Sequence, residues 1–385
     1  MREDGTYRVL DSSTVGAFAH EFLAGPVRTA GEIGDGNLNL VFRVGDGRSS
    51  VIVKQALPYL RFAGESWPLT RHRARIEAEA ISTHARMAPG ILPELIHFDE
   101  AMSALVLEDL CAHQSWREAL IAGDDVSGVA GPVGRYSARV LLGTLDGALS
   151  AGERAALQER FVYSELCLVT EDLVFTAPYH GSVTNRFDPA IADLAAGLTR
   201  DDALKEAAAE LRAGFRTRAE VLLHGDLHSG SVMIDHGNPR IIDLEFAYFG
   251  PAGFDAGSLL AHLAIAWQAH AAQGRDAYCR VVDDCAAGYW TAFADESRRL
   301  WDRTGPGVED FLARVLADAG RFAGLEMIRR IVGLAHARDI DSLPDAPREI
   351  AQRRVVAAGR SLVLGPECGA FADLWSRATG KVVPA

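Results

Sequence analysis

The spacing of apolar residues predicts a small β-rich lobe in the first third of the chain. Between residues 38 and 44 a large apolar side chain occupies every second position, which is the period of a half-buried strand. A glycine-containing turn at 45–47 leads into a second apolar run at 51–54, so this region predicts a β-hairpin. Two further short strands are predicted at 95–98 and 104–107.

Helical spacing flanks the hairpin and then dominates the chain. A short helix is predicted over 15–22 and a longer amphipathic helix over 71–87, where apolar residues recur on one side. From Ser115 onward helical patterns prevail. They are interrupted only at 221–223 and 232–243, two β-type stretches that adjoin the densest polar motif of the sequence.

This order of elements predicts an α+β fold with two lobes. We assign residues 1–108 to a small antiparallel β lobe with helices, and residues 109–385 to a large, mainly helical lobe. A chain of 385 residues is long enough to form both cores.

Composition narrows the range of partners. The formal net charge is −13 and no basic stripe is present, so neither nucleic acid nor a membrane is an expected partner. The apolar stretch at 259–267 is too short to cross a bilayer and the start of the chain is unlike a signal peptide, which predicts a cytoplasmic protein. The cysteines form no CxxC pair, and His262, His270 and His336 lack ligand spacing, so we expect these histidines to be structural or exposed.

The strongest chemical signal is the sequence His224-Gly225-Asp226 followed, after an apolar run, by Asp243. Phosphoryl transfer uses one carboxylate to accept the proton of the attacking hydroxyl and others to hold Mg²⁺ on the phosphates. The spacing matches the catalytic loop and metal-binding aspartate of kinase-like enzymes. We therefore predict Asp226 as the catalytic base, although an isolated HGD sequence is more often a tight turn.

The predicted metal ligands are Asp243, Glu245 and Ser231. Kinase-like enzymes place an asparagine five residues after the catalytic aspartate, and Ser231 occupies that position here. A hydroxyl is a weaker metal ligand than an amide carbonyl. Glu245 lies two residues after Asp243, hence on the same side of an extended chain, and is the expected replacement ligand.

The start of the hairpin predicts a nucleotide site. Glycines let backbone N–H groups approach phosphate oxygens, and a lysine on the next strand, oriented by a helix glutamate, reaches the phosphates. Either Glu77 or Glu79 could orient this lysine. Residues 108–110 lie where the backbone of such a fold pairs with adenine. The predicted nucleotide contacts are Gly34, Asp35, Gly36, Asn37, Asn39, Lys54, Glu108, Asp109 and Leu110.

Several longer stretches resemble the 5-methylthioribose kinase family, whose fold is bilobal and protein-kinase-like. They include GDGNLNLVFRV from Gly34, GESWPLT within the run that begins at Val51, HGDLHSGSVMI from His224 and FAGLEMIRRIVGLAH from Phe322. The resemblance extends over residues 31–336. The glycine loop and the HGD pattern also occur in choline and aminoglycoside phosphotransferases, whereas GESWPLT and the paired arginines are narrower signals.

The resemblance implies an ATP-dependent kinase, using Mg²⁺, that phosphorylates the anomeric 1-hydroxyl of 5-methylthioribose in methionine salvage. It implies that Arg329 and Arg330 contact the sugar and the developing phosphate, where planar donor groups suit oxyanions. By the same resemblance Trp67 covers the nucleotide site as a lid, Asp226 acts on the sugar hydroxyl, and the protein is a homodimer.

Other functions remain open from the sequence. A related phosphotransferase could act on another 5-modified pentose such as 5-deoxyribose, or on an amino-alcohol or antibiotic, although paired arginines argue against a cationic acceptor. The Asp-Pro-Glu metal motif of the family reads Asp243-Leu244-Glu245 here, which keeps both carboxylates but leaves the substrate open. A non-catalytic nucleotide-binding scaffold would usually have lost Lys54 or Asp226, and both are present.

Overall fold

The computed structural model describes residues 7–34, 38–61, 64–302 and 307–381. Three predicted phosphate-loop residues, Asp35, Gly36 and Asn37, lie outside these described residues.

The small lobe is built on an antiparallel sheet. Its elements are helix α1 (Val15–Ala19), continued by a 3-10 turn (His20–Phe22), strands β1 (Thr29–Glu32), β2 (Asn39–Gly45), β3 (Ser50–Ala56), β4 (Tyr59–Leu60) and β5 (Gly64–Pro68), helix α2 (Arg73–Met87), and strands β6 (Leu95–Asp99) and β7 (Ala104–Glu108). Among the described residues the five-stranded sheet has the order β1-β2-β3-β7-β6, and β4 and β5 pair separately. The predicted hairpin is confirmed as β2 and β3.

Alternation along β2 and β3 gives the two faces of this sheet different roles. Phe42 pairs with Val53, and both are buried with α1 in the apolar core of the lobe. One residue away, Val41 pairs with Lys54, and this pair faces the cleft toward the large lobe. Because successive side chains of a strand point to opposite faces, the pattern that builds the core also directs Lys54 into the cleft.

The large lobe is mainly helical, with short strands next to the cleft. Its elements are β8 (Gln114–Ser115), α3 (Trp116–Ala122), α4 (Ala130–Thr144), α5 (Ala151–Arg160), α6 (Glu165–Phe175), α7 (Ala177–His180), a 3-10 turn (Pro189–Ile191), α8 (Ala192–Leu198), α9 (Asp202–Thr217), β9 (Val221–Leu222), β10 (Val232–Asp235), β11 (Asn238–Ile241), a 3-10 turn (Leu244–Phe246), β12 (Phe249–Gly250), α10 (Phe254–Ala272), α11 (Asp276–Leu300), α12 (Val308–Val332), α13 (Arg338–Asp341), α14 (Asp345–Leu364) and α15 (Phe371–Thr379). Within the described residues no helix is long and apolar enough to cross a membrane.

Helix α10 lies at the centre of the large lobe. It is buried along almost its whole length and packs against α11, α12 and α14, as expected of a helix that is apolar on every side. Small residues allow the helices to approach closely: a Cβ atom on Gly324 of α12 would lie 2.4 Å from the carbonyl oxygen of Gly359 in α14. This packing fixes α10 and α12, the helices that carry several polar residues of the site.

We expect Gly324→Ala to lower the free energy of unfolding by about 1–3 kcal/mol, because the added methyl group overpacks the contact between α12 and α14. The matched control is Gly288→Ala in the long helix α11, where a Cβ atom would meet only the Cβ atom of Ala130, at 3.8 Å. This control should be neutral or stabilising, by up to about 1 kcal/mol, through helix propensity. Urea titrations of both variants test the prediction, and equal stabilities would contradict it.

Candidate active site

A cavity of about 480 Å³ lies in the cleft between the lobes. Apolar side chains of both lobes form part of its wall, including Ile52 and Leu107 from the sheet and Ile242 from the large lobe. The predicted site residues that line it are Gly34, Asn39, Lys54, Glu108, Asp109, Leu110, Asp226, Ser231, Asp243 and Glu245. Three other predicted residues, Trp67, Arg329 and Arg330, do not line this cavity.

Lys54 is surrounded by carboxylates from both lobes. Its Nζ atom lies 2.8 Å from Oε1 of Glu77, 2.6 Å from Oδ1 of Asp243 and 3.6 Å from Oε1 of Glu245. Of the two glutamates considered from the sequence, Glu77 is therefore the partner of the lysine. Glu79 instead forms an ion pair within α2.

These charges control one another's pKa values. Burial alone would lower the pKa of Lys54, but the three carboxylates raise it well above its ordinary value. Burial raises the pKa of Glu77 to about 7, against the opposing effect of Lys54. Burial also disfavours ionisation of Asp243, but the charge of Lys54 outweighs this effect and lowers the pKa of Asp243. The site thus holds an ammonium that stays charged.

The backbone at the metal motif differs from the sequence prediction. Asp243 has a left-handed conformation, with φ 65° and ψ 53°, and the residues Leu244–Phe246 form a 3-10 turn. The extended-chain argument that placed Asp243 and Glu245 on one side was therefore wrong. The two carboxylates still converge, because the turn brings both toward Lys54. A left-handed aspartate is a strained conformation of the kind found at functional sites.

Glu245 is held mainly by the small lobe. Both of its carboxylate oxygens lie 2.9 Å from Nδ2 of Asn39, and Nε of Arg73 lies 3.3 Å from its Oε2 atom. Arg73 also donates to Oδ1 of Asn39 at 3.1 Å. The side chain of Asn39, predicted to contact nucleotide, thus joins the lobes through Glu245. Sequence reasoning missed Arg73, because nothing distinguishes it from its neighbours Arg71 and Arg75.

The loop that contains the HGD sequence, residues 224–231 and called the catalytic loop below, is fixed by a buried aspartate and by a glycine. Asp255 accepts hydrogen bonds from the backbone N–H groups of His224, at 2.7 Å, and Gly225, at 3.0 Å. Gly225 has φ +87°, and a Cβ atom there would lie 2.1 Å from the carbonyl oxygen of Phe246. No other residue type fits this position, so the loop is held against the metal motif.

Asp226 faces the cavity and keeps 31% of its side chain exposed. Its Oδ2 atom lies 3.6 Å from Nε2 of His228, and its Oδ1 atom lies 4.0 Å from a terminal nitrogen of Arg330. Burial raises the pKa of Asp226, although Arg330 and Arg329 oppose the shift. A raised pKa makes a carboxylate a better proton acceptor at neutral pH.

The hydroxyl of Ser231 forms hydrogen bonds within the catalytic loop, and its role as a metal ligand stays a prediction. Its hydroxyl is buried, donates to the carbonyl oxygens of Asp226 and His228 at 3.1 and 3.0 Å, and accepts from the N–H of His228 at 2.9 Å. Ser231 therefore shapes the catalytic loop from within. Within the described parts of the chain, no group of three or more His, Cys, Asp or Glu residues forms a ready metal site.

The paired arginines share one buried carboxylate. Arg329 and Arg330 each donate from Nε to Glu326, to Oε2 and Oε1 respectively, both at 2.7 Å. Burial opposes the charge of Glu326, but the two arginines lower its pKa well below the ordinary value. Sequence reasoning missed Glu326, although its position three and four residues before the arginines on one helix was a usable signal.

At the junction of the lobes the acidic side chains are occupied by arginines. Asp109 accepts from Nε of Arg43 at 2.8 Å, and Glu108 accepts from Arg240 at 2.8 Å. The side chains of Glu108 and Asp109 are thus engaged by arginines, and the predicted contact of the backbone at 108–110 with adenine stays a prediction.

Trp67 lies beside the cavity. It packs in an apolar cluster with Leu166 of α6 and with Leu38 and Phe246, which do line the cavity. Trp67 therefore contributes to the contact between the lobes in this structure, and its predicted role as a lid over the nucleotide remains a prediction.

The fold and the site define a phosphotransferase of the bilobal, protein-kinase-like kind. Residues 29–290 match the model of the phosphotransferase enzyme family known as APH. The solved structure of spectinomycin phosphotransferase APH(9)-Ia, in complex with ADP and spectinomycin, superposes with a TM-score of 0.50. That match covers 89% of this chain and 98% of the other at 11% identity, and so shows the fold alone. The predicted fold class is confirmed.

Two curated relatives identify the family. The methylthioribose kinase of Yersinia enterocolitica is 40% identical over 381 residues, which cover 93% of this chain and 94% of the relative. That of Pectobacterium carotovorum is 42% identical over 354 residues, covering 87% and 88%. The chain belongs to the methylthioribose kinase family, which confirms the resemblance noted from the sequence.

The raised pKa of Glu77 predicts a pH dependence of stability. Folded Glu77 binds its proton more tightly than the unfolded residue, whose pKa is near 4.5, so its contribution to stability decreases as pH rises from 4.5 toward 7. In Glu77→Gln this titration is absent. We expect the Tm of wild type, relative to Glu77→Gln, to fall across this window and then level off. Parallel Tm curves in scanning calorimetry between pH 4.5 and 8 would contradict the assignment.

Proposed function

We propose that the protein is an ATP-dependent kinase that transfers the γ-phosphate of ATP to the 1-hydroxyl of 5-methylthioribose, giving 5-methylthioribose 1-phosphate for methionine salvage. The observation that carries the proposal is the convergence in one cavity of Lys54, Asp243 and Asp226, with Arg330 4.0 Å from Asp226. The methylthioribose kinases to which the chain is similar supply the identity of the sugar.

The nucleotide is proposed to occupy the cavity under the sheet. Adenine would pack between Ile52 and Ile242, two apolar residues from opposite lobes, and pair with the backbone at 108–110. Lys54 would contact the α and β phosphates, because its ammonium is held charged on the cleft face of β3. Gly34 lines the opening of the same cavity, where the backbone can approach phosphate.

The donor set at the metal motif suits Mg²⁺. Mg²⁺ is usually held by one or two carboxylates together with substrate phosphates and water. Asp243 fits this role best, since its side chain is 48% exposed toward the cleft. Glu245 is a second oxygen donor, although its carboxylate also accepts from Asn39. When bound, the ion would neutralise charge on the phosphates.

Asp226 is proposed as the base. The 1-hydroxyl of the pentose would pass its proton to the carboxylate of Asp226, its oxygen would bond to the γ-phosphorus, and the bond from that phosphorus to the oxygen leading to the β-phosphate would break. The Nε atoms of both arginines are engaged with Glu326, so a terminal nitrogen of Arg330 is directed toward Asp226. Arginine donors there would stabilise the oxygens of the transferring phosphoryl group.

The same charges bear on the alternative acceptors. Arg330 lies 4.0 Å from Asp226 and the charge of Arg329 also acts on this carboxylate, which disfavours a polycationic aminoglycoside or a choline-like acceptor. A neutral pentose with another 5-substituent fits the same charges, so it stays the second candidate. We also propose a cytoplasmic location, where ATP is available, and a homodimer.

Turnover of a substrate panel tests the proposal first. With MgATP we expect strong ADP formation from 5-methylthioribose, weaker formation from 5-deoxyribose and ribose, and none above background from choline or kanamycin. Choline and kanamycin should fail because Arg329 and Arg330 make the acceptor end of the cleft, the end next to Asp226, positively charged. A preference for choline or kanamycin would overturn the proposed acceptor, and turnover of no compound would favour the non-catalytic scaffold.

We expect Asp226→Asn to lower kcat by about 10²- to 10⁴-fold, because the amide cannot accept the hydroxyl proton. The KM for ATP should stay near that of wild type. Asp235→Asn is the matched control, since Asp235 of β10 pairs with the exposed His236 outside the cavity. Wild-type turnover by the Asp226→Asn variant would contradict the role of Asp226.

A further inference from the structure

We propose that His262 is a positioning residue for the paired arginines, donating a hydrogen bond from Nε2 to Glu326 while accepting one at Nδ1 from Arg117. The inference rests on the proposed function, because it concerns the acceptor end of the same cleft. His262 lies on α10 and is 0% exposed. From sequence we expected a structural or exposed residue, and burial alone would not distinguish it from His270 of the same helix.

The two neighbours of His262 determine where its proton resides. A guanidinium has only donors, so Nδ1 of His262, which lies 3.2 Å from a terminal nitrogen of Arg117, must be an acceptor. The proton of the neutral ring is then on Nε2, 3.3 Å from Oε1 of Glu326. Burial lowers the pKa of His262 well below its ordinary value, and the charge of Arg330 acts in the same direction. The ring therefore stays neutral in one tautomer.

This tautomer fixes the carboxylate that holds both arginines. Oε1 of Glu326 accepts from His262 and from Arg330, whereas Oε2 accepts from Arg329. A hydrogen bond from outside α12 restricts rotation of the carboxylate, which would otherwise be set only by two arginines on its own helix. The orientation of Arg330, 4.0 Å from Asp226, then depends on His262.

The other side of His262 leads back to the catalytic loop. The backbone N–H of Arg117 donates to the carbonyl oxygen of Ser229 at 2.9 Å. Its guanidinium lies so close to Gly230 that a Cβ atom there would be 2.9 Å from Cζ. The ring of His262 also contacts that of His228 in a tilted arrangement, with centroids 4.8 Å apart and an interplanar angle of 47°. The chain of contacts through His262 thus begins and ends at the catalytic loop.

The first test compares substitutions at His262 in steady-state assays with 5-methylthioribose and MgATP. His262→Leu removes both hydrogen bonds, and we expect a loss in kcat/KM for the pentose on the order of 100-fold, with the KM for ATP changed by no more than about twofold. His262→Gln retains a donor near the position of Nε2 and should recover most of the loss. His270→Leu on the same buried helix should have wild-type kinetics. If His262→Leu does not fold, His262→Asn takes its place, because its shorter carboxamide can reach the position of Nδ1 but not that of Nε2.

A double-mutant cycle separates positioning from general structural support. If His262 acts through Arg330, His262→Leu should cause little further loss in an Arg330→Ala background. Additive losses would overturn the proposal. So would an equal rise in the KM values for ATP and pentose, since these are the signs of a damaged fold.

A spectroscopic measurement is independent of turnover. In protein with ¹⁵N-labelled histidines, the resonances of His262, assigned by their loss in His262→Leu, should show a protonated Nε2 and an unprotonated Nδ1 from pH 5.5 to 8. An Nδ1–H tautomer or an imidazolium would overturn the proposal. Failure of the proposed function can be distinguished from failure of this inference. The wild-type protein would then leave 5-methylthioribose unphosphorylated, while the tautomer of His262 stayed the same. The double-mutant cycle would in that case use whichever compound of the substrate panel is turned over.

Discussion

A buried ammonium requires anionic partners, and this requirement organises the cleft. Lys54 is buried on the cleft face of β3, where it would lose its charge without compensation. One carboxylate comes from α2 in the small lobe, and two come from the metal motif in the large lobe. The lysine therefore joins the sheet to the catalytic segment, and the strained backbone at Asp243 persists because of this convergence.

At the acceptor end of the cleft, next to Asp226, a buried charged group is again surrounded by groups of opposite charge, but here the central group is an anion. There a buried carboxylate, Glu326, is surrounded by arginines and a neutral histidine, and Arg330 in turn approaches Asp226. One end is thus built to keep a cation charged and the other to keep an anion charged. A reaction that moves a charged phosphoryl group needs such preorganised charges at both ends.

Local pattern was sufficient to predict the parts of the structure that depend on alternation and spacing. The alternation along β2 and β3 predicted the hairpin and, through the same period, the direction of Lys54. The HGD sequence with Asp243 predicted which carboxylates meet in the cleft. These predictions succeeded because each depends on residues close together in the chain.

The failures involve backbone conformation and distant contacts. The left-handed conformation of Asp243 cannot be inferred from a sequence without glycine at that position, so the extended-chain argument for Glu245 failed. Arg73 and His262 were missed because they acquire their partners only when elements far apart in sequence pack together. Glu326 was missed although its arginine partners lie on the same helix.

In the proposed reaction, Asp226 and the arginines direct the phosphoryl group of ATP to the anomeric oxygen of the sugar. The most direct test is ³¹P NMR of the product formed from 5-methylthioribose, ATP and Mg²⁺ by the wild-type protein. We expect one new phosphomonoester resonance, split by coupling to the anomeric proton, together with an equal amount of ADP. A phosphate on the 2- or 3-hydroxyl, or ADP accompanied only by inorganic phosphate, would contradict it.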